Sequence, residues 1–144
     1  ELLKKKMQLT LSISLHAPSN ELRSKIMPIN KKYDVDELLS ACRKYAAETS
    51  RRISFEYAML SGVNDSDECA RLLASKLKGM LCHVNLIPVN AVKERDYTKS
   101  SDNRINSITL TSYFIAASFV LLNPGTILFQ AVLHTIIFAL LKSV

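Results

Sequence analysis

The residues able to do chemistry in this chain fall on the polar faces of three alternating segments. Over residues 7–16, Met7, Leu9, Leu11, Ile13 and Leu15 point one way, and Gln8, Thr10, Ser12, Ser14 and His16 the other. Residues 53–60 and 82–88 repeat the pattern, putting Ser54 and Glu56, then His83 and Asn85, opposite apolar partners. Asn90 follows the third segment by two residues. Hydroxyl, imidazole, carboxylate and amide groups brought to one wall can hydrogen-bond a polar ligand. The same groups could equally satisfy one another inside a wet lumen. No Ser/His/Asp order, HExxH, P-loop or GxGxxG is present, so hydrolase, zinc-protease and simple nucleotide-fold readings lack support. Cys42, Cys69 and Cys82 are 27 and 13 residues apart, with no CxxC cluster, so the chain offers no metal or iron–sulfur ligand set of its own.

The elements between these strands read as helices. Glu21 to Met27 is long enough for one or two turns before Pro28. Asp34, with Glu37 three residues on, resembles a capping box. It opens a helix whose stripe is Val35, Leu38, Leu39, Cys42, Tyr45 and Ala46. Asn64-Asp65-Ser66 caps a second helix, with Ala70, Leu73 and Leu77 on its stripe and Gly79 as the residue past its end. Strand–helix–strand–helix–strand predicts α/β architecture with a parallel sheet. A parallel sheet covered on both faces should be apolar throughout. Here each strand keeps a polar face, which predicts a partial (βα) barrel of about three βα units with helices outside and a polar lumen. Ser14 and His16 then sit at the C-terminal end of their strand, where such architectures place their sites.

Composition divides the chain. It has 144 residues, 48% hydrophobic, with a formal net charge of +6. That composition excludes a disordered or disulfide-dense protein and permits a nucleic-acid partner. From Ile105 to Leu141, however, 37 residues contain no Asp, Glu, Lys or Arg. The apolar runs Thr109–Leu122 and Thr126–Leu141 are split by Asn123-Pro124-Gly125. Each is shorter than the roughly 20 residues of one membrane span. A kinked span or helical hairpin, a buried core element, or a non-homologous tail arising from a frameshift or gene-model error are the readings open, and the last is favoured. The expected division is 1–106, globular, and 107–144, an apolar and helical tail.

The run from Ser12 to Tyr33, Ser-Ile-Ser-Leu-His-Ala-Pro-Ser-Asn-Glu-Leu-Arg-Ser-Lys-Ile-Met-Pro-Ile-Asn-Lys-Lys-Tyr, closely resembles the radical SAM RNA methyltransferases of the RlmN type. Phe55-Glu56-Tyr57, Gly62-Val63-Asn64-Asp65 and Cys82-His83-Val84-Asn85-Leu86-Ile87-Pro88 with Asn90 are similar to later blocks of that family, in the same order. The Cfr-type resistance methyltransferases share much of the pattern. The resemblance implies a radical SAM barrel that uses S-adenosylmethionine and a 4Fe-4S cluster to methylate C2 of adenine in large-subunit ribosomal RNA and in transfer RNA. It implies cytoplasmic location. It puts S-adenosylmethionine on Ser14, Leu15, His16 and Asn90. It suggests phosphate contacts from Arg23, Lys25, Lys31 and Lys32.

The chain also departs from that pattern. The family's CxxxCxxC cluster motif has no counterpart among these residues, and the tail has no cysteine to act as methyl carrier. Ser100 to Ile105 still fits the family; beyond about Ser107 the likeness stops. The expectation is therefore a fragment that supplies no catalytic residue and no cluster ligand and is inactive alone. The competing expectation is a non-catalytic RNA- or nucleotide-binding remnant attached to a membrane through 107–144.

Overall fold

A computed structural model describes residues 9–89, 98 and 100–108. The strands β1 (Leu11–Ser14), β2 (Ile53–Met59) and β3 (Cys82–Pro88) pair in parallel in the order β1-β2-β3. Between them run α1 (Asn20–Ile26), a 3-10 turn (Pro28–Lys31), α2 (Val35–Thr49) and α3 (Asp67–Leu77). Residues 102–108 are again helical. The register sets Ser14, Glu56 and Asn85 side by side, with Ser12, Ser54 and His83 in the row two residues back.

Local chemistry explains each boundary. Ser19 caps α1, its hydroxyl accepting from the Leu22 amide at 3.3 Å. Asp34 caps α2 by accepting from the Glu37 amide at 2.8 Å, and Ser66 caps α3 by accepting from the Cys69 amide at 3.1 Å. α3 ends at Leu77 and the chain turns through Gly79 at φ +74°, a left-handed position suited to glycine.

The core lies on the apolar side of the sheet. Ile53, Phe55, Tyr57 and Met59 of β2 are all buried, packed with Leu15, with Val35, Leu39, Cys42, Tyr45 and Ala46 of α2, and with Ala70, Leu73 and Leu77 of α3. Ile108 is buried in the same cluster. Dispersion and the removal of this apolar area from water hold the layers together. The opposite face is open: Ser12, Ser14, Asn85 and Ile87 are exposed. This is the one-sided strand chemistry that alternation predicts.

Among the described residues the alternating stretch pairs only over Leu11–Ser14, because residues 9 and 10 do not pair and the backbone turns out of the sheet at His16; residues 1–8 lie outside the described residues. The tail from 109, with the membrane and artefact readings attached to it, also lies outside them. Among the described residues no helix is long and apolar enough to cross a membrane.

Candidate functional site

The polar face converges on Glu56. Its carboxylate accepts from Ser12 Oγ at 2.7 Å, Ser54 Oγ at 3.0 Å and Asn85 Nδ2 at 2.7 Å. These hydrogen bonds, Ser12 and Asn85 foremost, hold its pKa below the ordinary glutamate value. Glu56 is thus a fixed anion spanning all three strands. His83 stands in the row behind it, its buried Nδ1 without a hydrogen-bond partner among the described residues. Burial lowers the His83 pKa, with Arg52 adding to the effect and Glu56 opposing it.

At the C-terminal end of β1 the backbone leaves the sheet abruptly. His16 has φ +56°, an uncommon conformation for a residue with a Cβ. Two buried side chains hold it there. Arg23, 4% exposed, donates from Nε to the Leu15 carbonyl at 3.1 Å and from Nη2 to the Ser14 carbonyl at 3.2 Å. Its Nη1 donates to Asn30 Oδ1 at 3.0 Å and to the Tyr33 carbonyl at 3.2 Å. From the other side Asn64, 1% exposed, donates from Nδ2 to the carbonyls of His16 and Ala58, both at 2.7 Å. Its Oδ1 accepts from the Leu60 amide at 2.8 Å. The Asn64 carbonyl in turn accepts from the buried Tyr57 hydroxyl at 2.8 Å.

The imidazole of His16 is fixed as well. Its Nδ1 accepts from the Ala58 amide at 3.0 Å, so the neutral ring carries its proton on Nε2. Burial lowers the His16 pKa, and the Arg23 charge lowers it further against an opposing pull from Glu56. A depressed histidine pKa means that the folded state prefers the neutral ring. Its stabilising contribution is complete above the unfolded value near 6.5 and is lost as pH falls from there through the folded pKa. His83 acts in the same direction. His16→Asn keeps an acceptor and tolerates the left-handed backbone. The variant is therefore expected to flatten the loss of stability between about pH 7 and pH 5, read as the slope of the urea midpoint against pH.

The sequence-derived sites are distributed as follows. Ser14 and His16 share the open mouth of the polar face. The Leu15 side chain is fully buried in the core. Its carbonyl is taken by Arg23 and the Ala17 amide, and the amides of Leu15 and His16 both donate to the Glu56 carbonyl. The backbone of 14–16 is thus engaged internally, and the groups left for a ligand are the Ser14 hydroxyl and His16 Nε2–H. Asn90 lies outside the described residues. Arg23 departs from its expected phosphate role. It is buried with all three of its nitrogens donating inward, so it holds the turn instead. Lys25 is exposed but paired with Glu21 at 2.8 Å. Lys31 and Lys32 are exposed on the turn before α2.

In the sequence Asn64 reads as part of the turn and cap before α3, and nothing near it shows its part in the site. The Asn-Asp pair after Gly62 marks a turn but not the distant carbonyl it reaches. Asp65 continues that loop. It accepts from the Gly62 amide at 2.8 Å and, through its other oxygen, from the buried Ser100 hydroxyl at 2.8 Å, while Arg104 Nε donates to its carbonyl at 2.7 Å. Arg104 also pairs with Asp67 at 3.0 Å.

The cysteines do not fit a cluster. Cys42 is buried in the apolar core cluster, and Cys69 is buried on α3. Burial raises the Cys42 thiol pKa and pushes Cys82 up to about 11, the reverse of what a thiolate ligand needs. Among the described residues no group of His, Cys, Asp and Glu could hold a metal ion.

No family model matches the chain. It is 56% identical over 111 residues to a protein of Clostridium novyi (strain NT) described as a probable dual-specificity RNA methyltransferase RlmN, covering 77% of this chain and 32% of that one. A protein of Caldanaerobacter subterraneus subsp. tengcongensis with the same description is 58% identical over 99 residues, covering 69% of this chain and 29% of its own length. Among solved structures, a radical SAM methyltransferase from Sphaerobacter thermophilus superposes with a TM-score of 0.76 at 45% identity, over 79% of this chain and 33% of that one. The chain spans about a third of the length of the curated relatives it matches.

Proposed function

We propose that this chain works as part of an RlmN-type radical SAM RNA methyltransferase, its matched residues corresponding to about a third of the length of such relatives, and that the mouth of its polar face holds S-adenosylmethionine. The observation that carries this reading is the His16 turn. A left-handed residue at the end of a parallel strand is locked by Arg23 and Asn64, beside an open polar face. The turn falls on the Ser-Leu-His that the family resemblance associates with that cofactor.

The residues present fit an adenosyl group. The Ser14 hydroxyl can donate or accept, and His16 Nε2–H can donate to a ring nitrogen or ribose oxygen. Ala58 and the exposed Ile87 are paired neighbours at the C-terminal ends of β2 and β3 on the same face, and supply an apolar wall. S-adenosylmethionine supplies, when bound, the methyl group and the adenosyl carbon on which radical chemistry depends. The chain's own part is to bind and orient it. Glu56 stays anionic and keeps Ser12, Ser54 and Asn85 aligned, while the neutral His16 presents a single donor. Asn90 is assigned to the same ligand from the resemblance. The 4Fe-4S cluster belongs to the whole enzyme and receives no ligand from the described residues. Adenine in ribosomal and transfer RNA is the proposed substrate and the cytoplasm the proposed compartment; the proposed functional unit is 1–106 with the rest of the helix that runs to Ile108, which packs in the core, and the remainder of 107–144 is a tail foreign to it.

Isothermal titration of the 144-residue chain with S-adenosylmethionine tests this. Saturable binding is expected, weakened about three- to tenfold by Ser14→Ala, the worth of one hydrogen bond. No saturable binding, or indifference to Ser14→Ala, would overturn the assignment. Translation of the other two reading frames beyond codon 105 tests the tail: a block there like the family's methyl-carrier segment, Ala-Cys-Gly-Gln around the cysteine, marks a frameshift, and its absence from both frames removes that reading.

A further inference from the structure

The turn before α2 is built to face outward. Ile29 is 47% exposed and Tyr33 46%, the two most exposed large apolar side chains among the described residues. Lys31 and Lys32 are exposed beside them, and Lys32 Nζ stands 5.2 Å from the centre of the Tyr33 ring. No Asp or Glu occurs from Lys25 to Tyr33, and the carboxylate of Asp34 is engaged in capping α2.

This surface is also rigid. Asn30 points inward and is 4% exposed. Its Nδ2 donates to Ser24 Oγ at 2.9 Å and to the Asn20 carbonyl at 3.2 Å, while its Oδ1 accepts from Arg23. The Tyr33 amide donates to the Ile29 carbonyl at 3.1 Å, and the Tyr33 carbonyl accepts from Arg23. The same guanidinium holds the carbonyls of Ser14 and Leu15. One buried cation therefore ties the backbone that carries Tyr33 to the backbone at the mouth of the polar face.

An exposed aromatic ring with one ammonium over it and a second in the next residue, while Asp34 caps α2 and Asp36 pairs with Lys76, is complementary to an unpaired nucleotide. The base stacks on the ring and the phosphate meets the ammonium groups. We propose that Tyr33 is a stacking platform for an unpaired RNA base, with Lys31 and Lys32 holding the adjoining phosphates. The proposal rests on the reading of this face as the site of an RNA-modifying enzyme, and adds where and how the strand is gripped.

Fluorescence anisotropy of the full chain with labelled single-stranded oligoadenylate, over a range of KCl concentrations, tests it. Tyr33→Ala is expected to weaken binding about tenfold with the salt slope unchanged, and Tyr33→Phe to retain wild-type affinity. Changing Lys31 and Lys32 together to Gln is expected to reduce the salt slope by about 1.4, two phosphate contacts on a single strand. Binding of the same strand in a duplex should not respond to Tyr33→Ala. Wild-type affinity in Tyr33→Ala, an equal loss for single strand and duplex, no binding of oligoadenylate, or displacement of the RNA by polyglutamate through the same ring would each overturn the platform. S-adenosylmethionine titration of Tyr33→Ala separates the two readings. Unchanged cofactor binding shows the site intact. Absent cofactor binding in the wild type, with the RNA effect still present, sinks the cofactor assignment and leaves the platform standing.

Discussion

Arg23→Ala is expected to destabilise the fold by about 3–5 kcal/mol, because three acceptors lose their donor and each one orphaned costs roughly 1–3 kcal/mol. The guanidinium makes four hydrogen bonds from a position 4% exposed. Its loss leaves the buried Asn30 Oδ1 and the part-buried Ser14 and Tyr33 carbonyls without these donors. Arg23→Lys should recover little of the stability, because one ammonium cannot reach four acceptors that a planar fork reaches at once. Urea unfolding checks both variants, and a midpoint shift in Arg23→Ala within that of an ordinary surface substitution, about 0.5 kcal/mol, would count against the clamp. Burial lowers the Arg23 pKa from its usual value, but an arginine so paired keeps its charge across the working range of pH.

Asn64→Asp is expected to have the second largest effect, although it changes only one atom in kind. The amide nitrogen lies 2.7 Å from two carbonyl oxygens, of His16 and Ala58. A carboxylate oxygen in its place turns two hydrogen bonds into two repulsions, in a side chain 1% exposed. The expected cost is about 3 kcal/mol, or more, with S-adenosylmethionine binding reduced at least tenfold because the His16 turn loses one of its two restraints. Such a carboxyl is driven toward its protonated form, which restores one donor. The defect should therefore ease as pH is lowered, opposite in direction to the acid sensitivity from His16 and His83. Unfolding of the variant and the wild type at neutral and mildly acid pH measures the difference, and a defect that does not ease on acidification would argue against carbonyl contact.

Much of the fold is legible in the sequence because it rests on periodicity. The alternation of β2 and β3 and the stripes of α2 and α3 are each set by residues within one element. Their outcome, a polar sheet face opposite a buried one, follows from the pattern alone. What the sequence hides are contacts between elements. Arg23 looks like a surface cation of a short helix, and nothing local distinguishes it from Lys25 two residues on. Its burial is decided by carbonyls that β1 leaves unpaired where it exits the sheet. Asn64 looks like a turn residue, and its reach to His16 spans 48 positions. The backbone of Ser14, Leu15 and His16 looks available for a ligand, and becomes engaged only when β2 lies beside it.

The Ala58 amide points its hydrogen at an imidazole nitrogen rather than at a carbonyl. An oxygen acceptor stays an acceptor at any pH, whereas this nitrogen ceases to be one on protonation. The nitrogen-15 shift of Ala58 and the rate at which its proton exchanges with solvent should therefore follow the state of His16. One backbone resonance at the C-terminal end of the central strand thus serves as a spectroscopic gauge of the site, readable without substrate or cofactor.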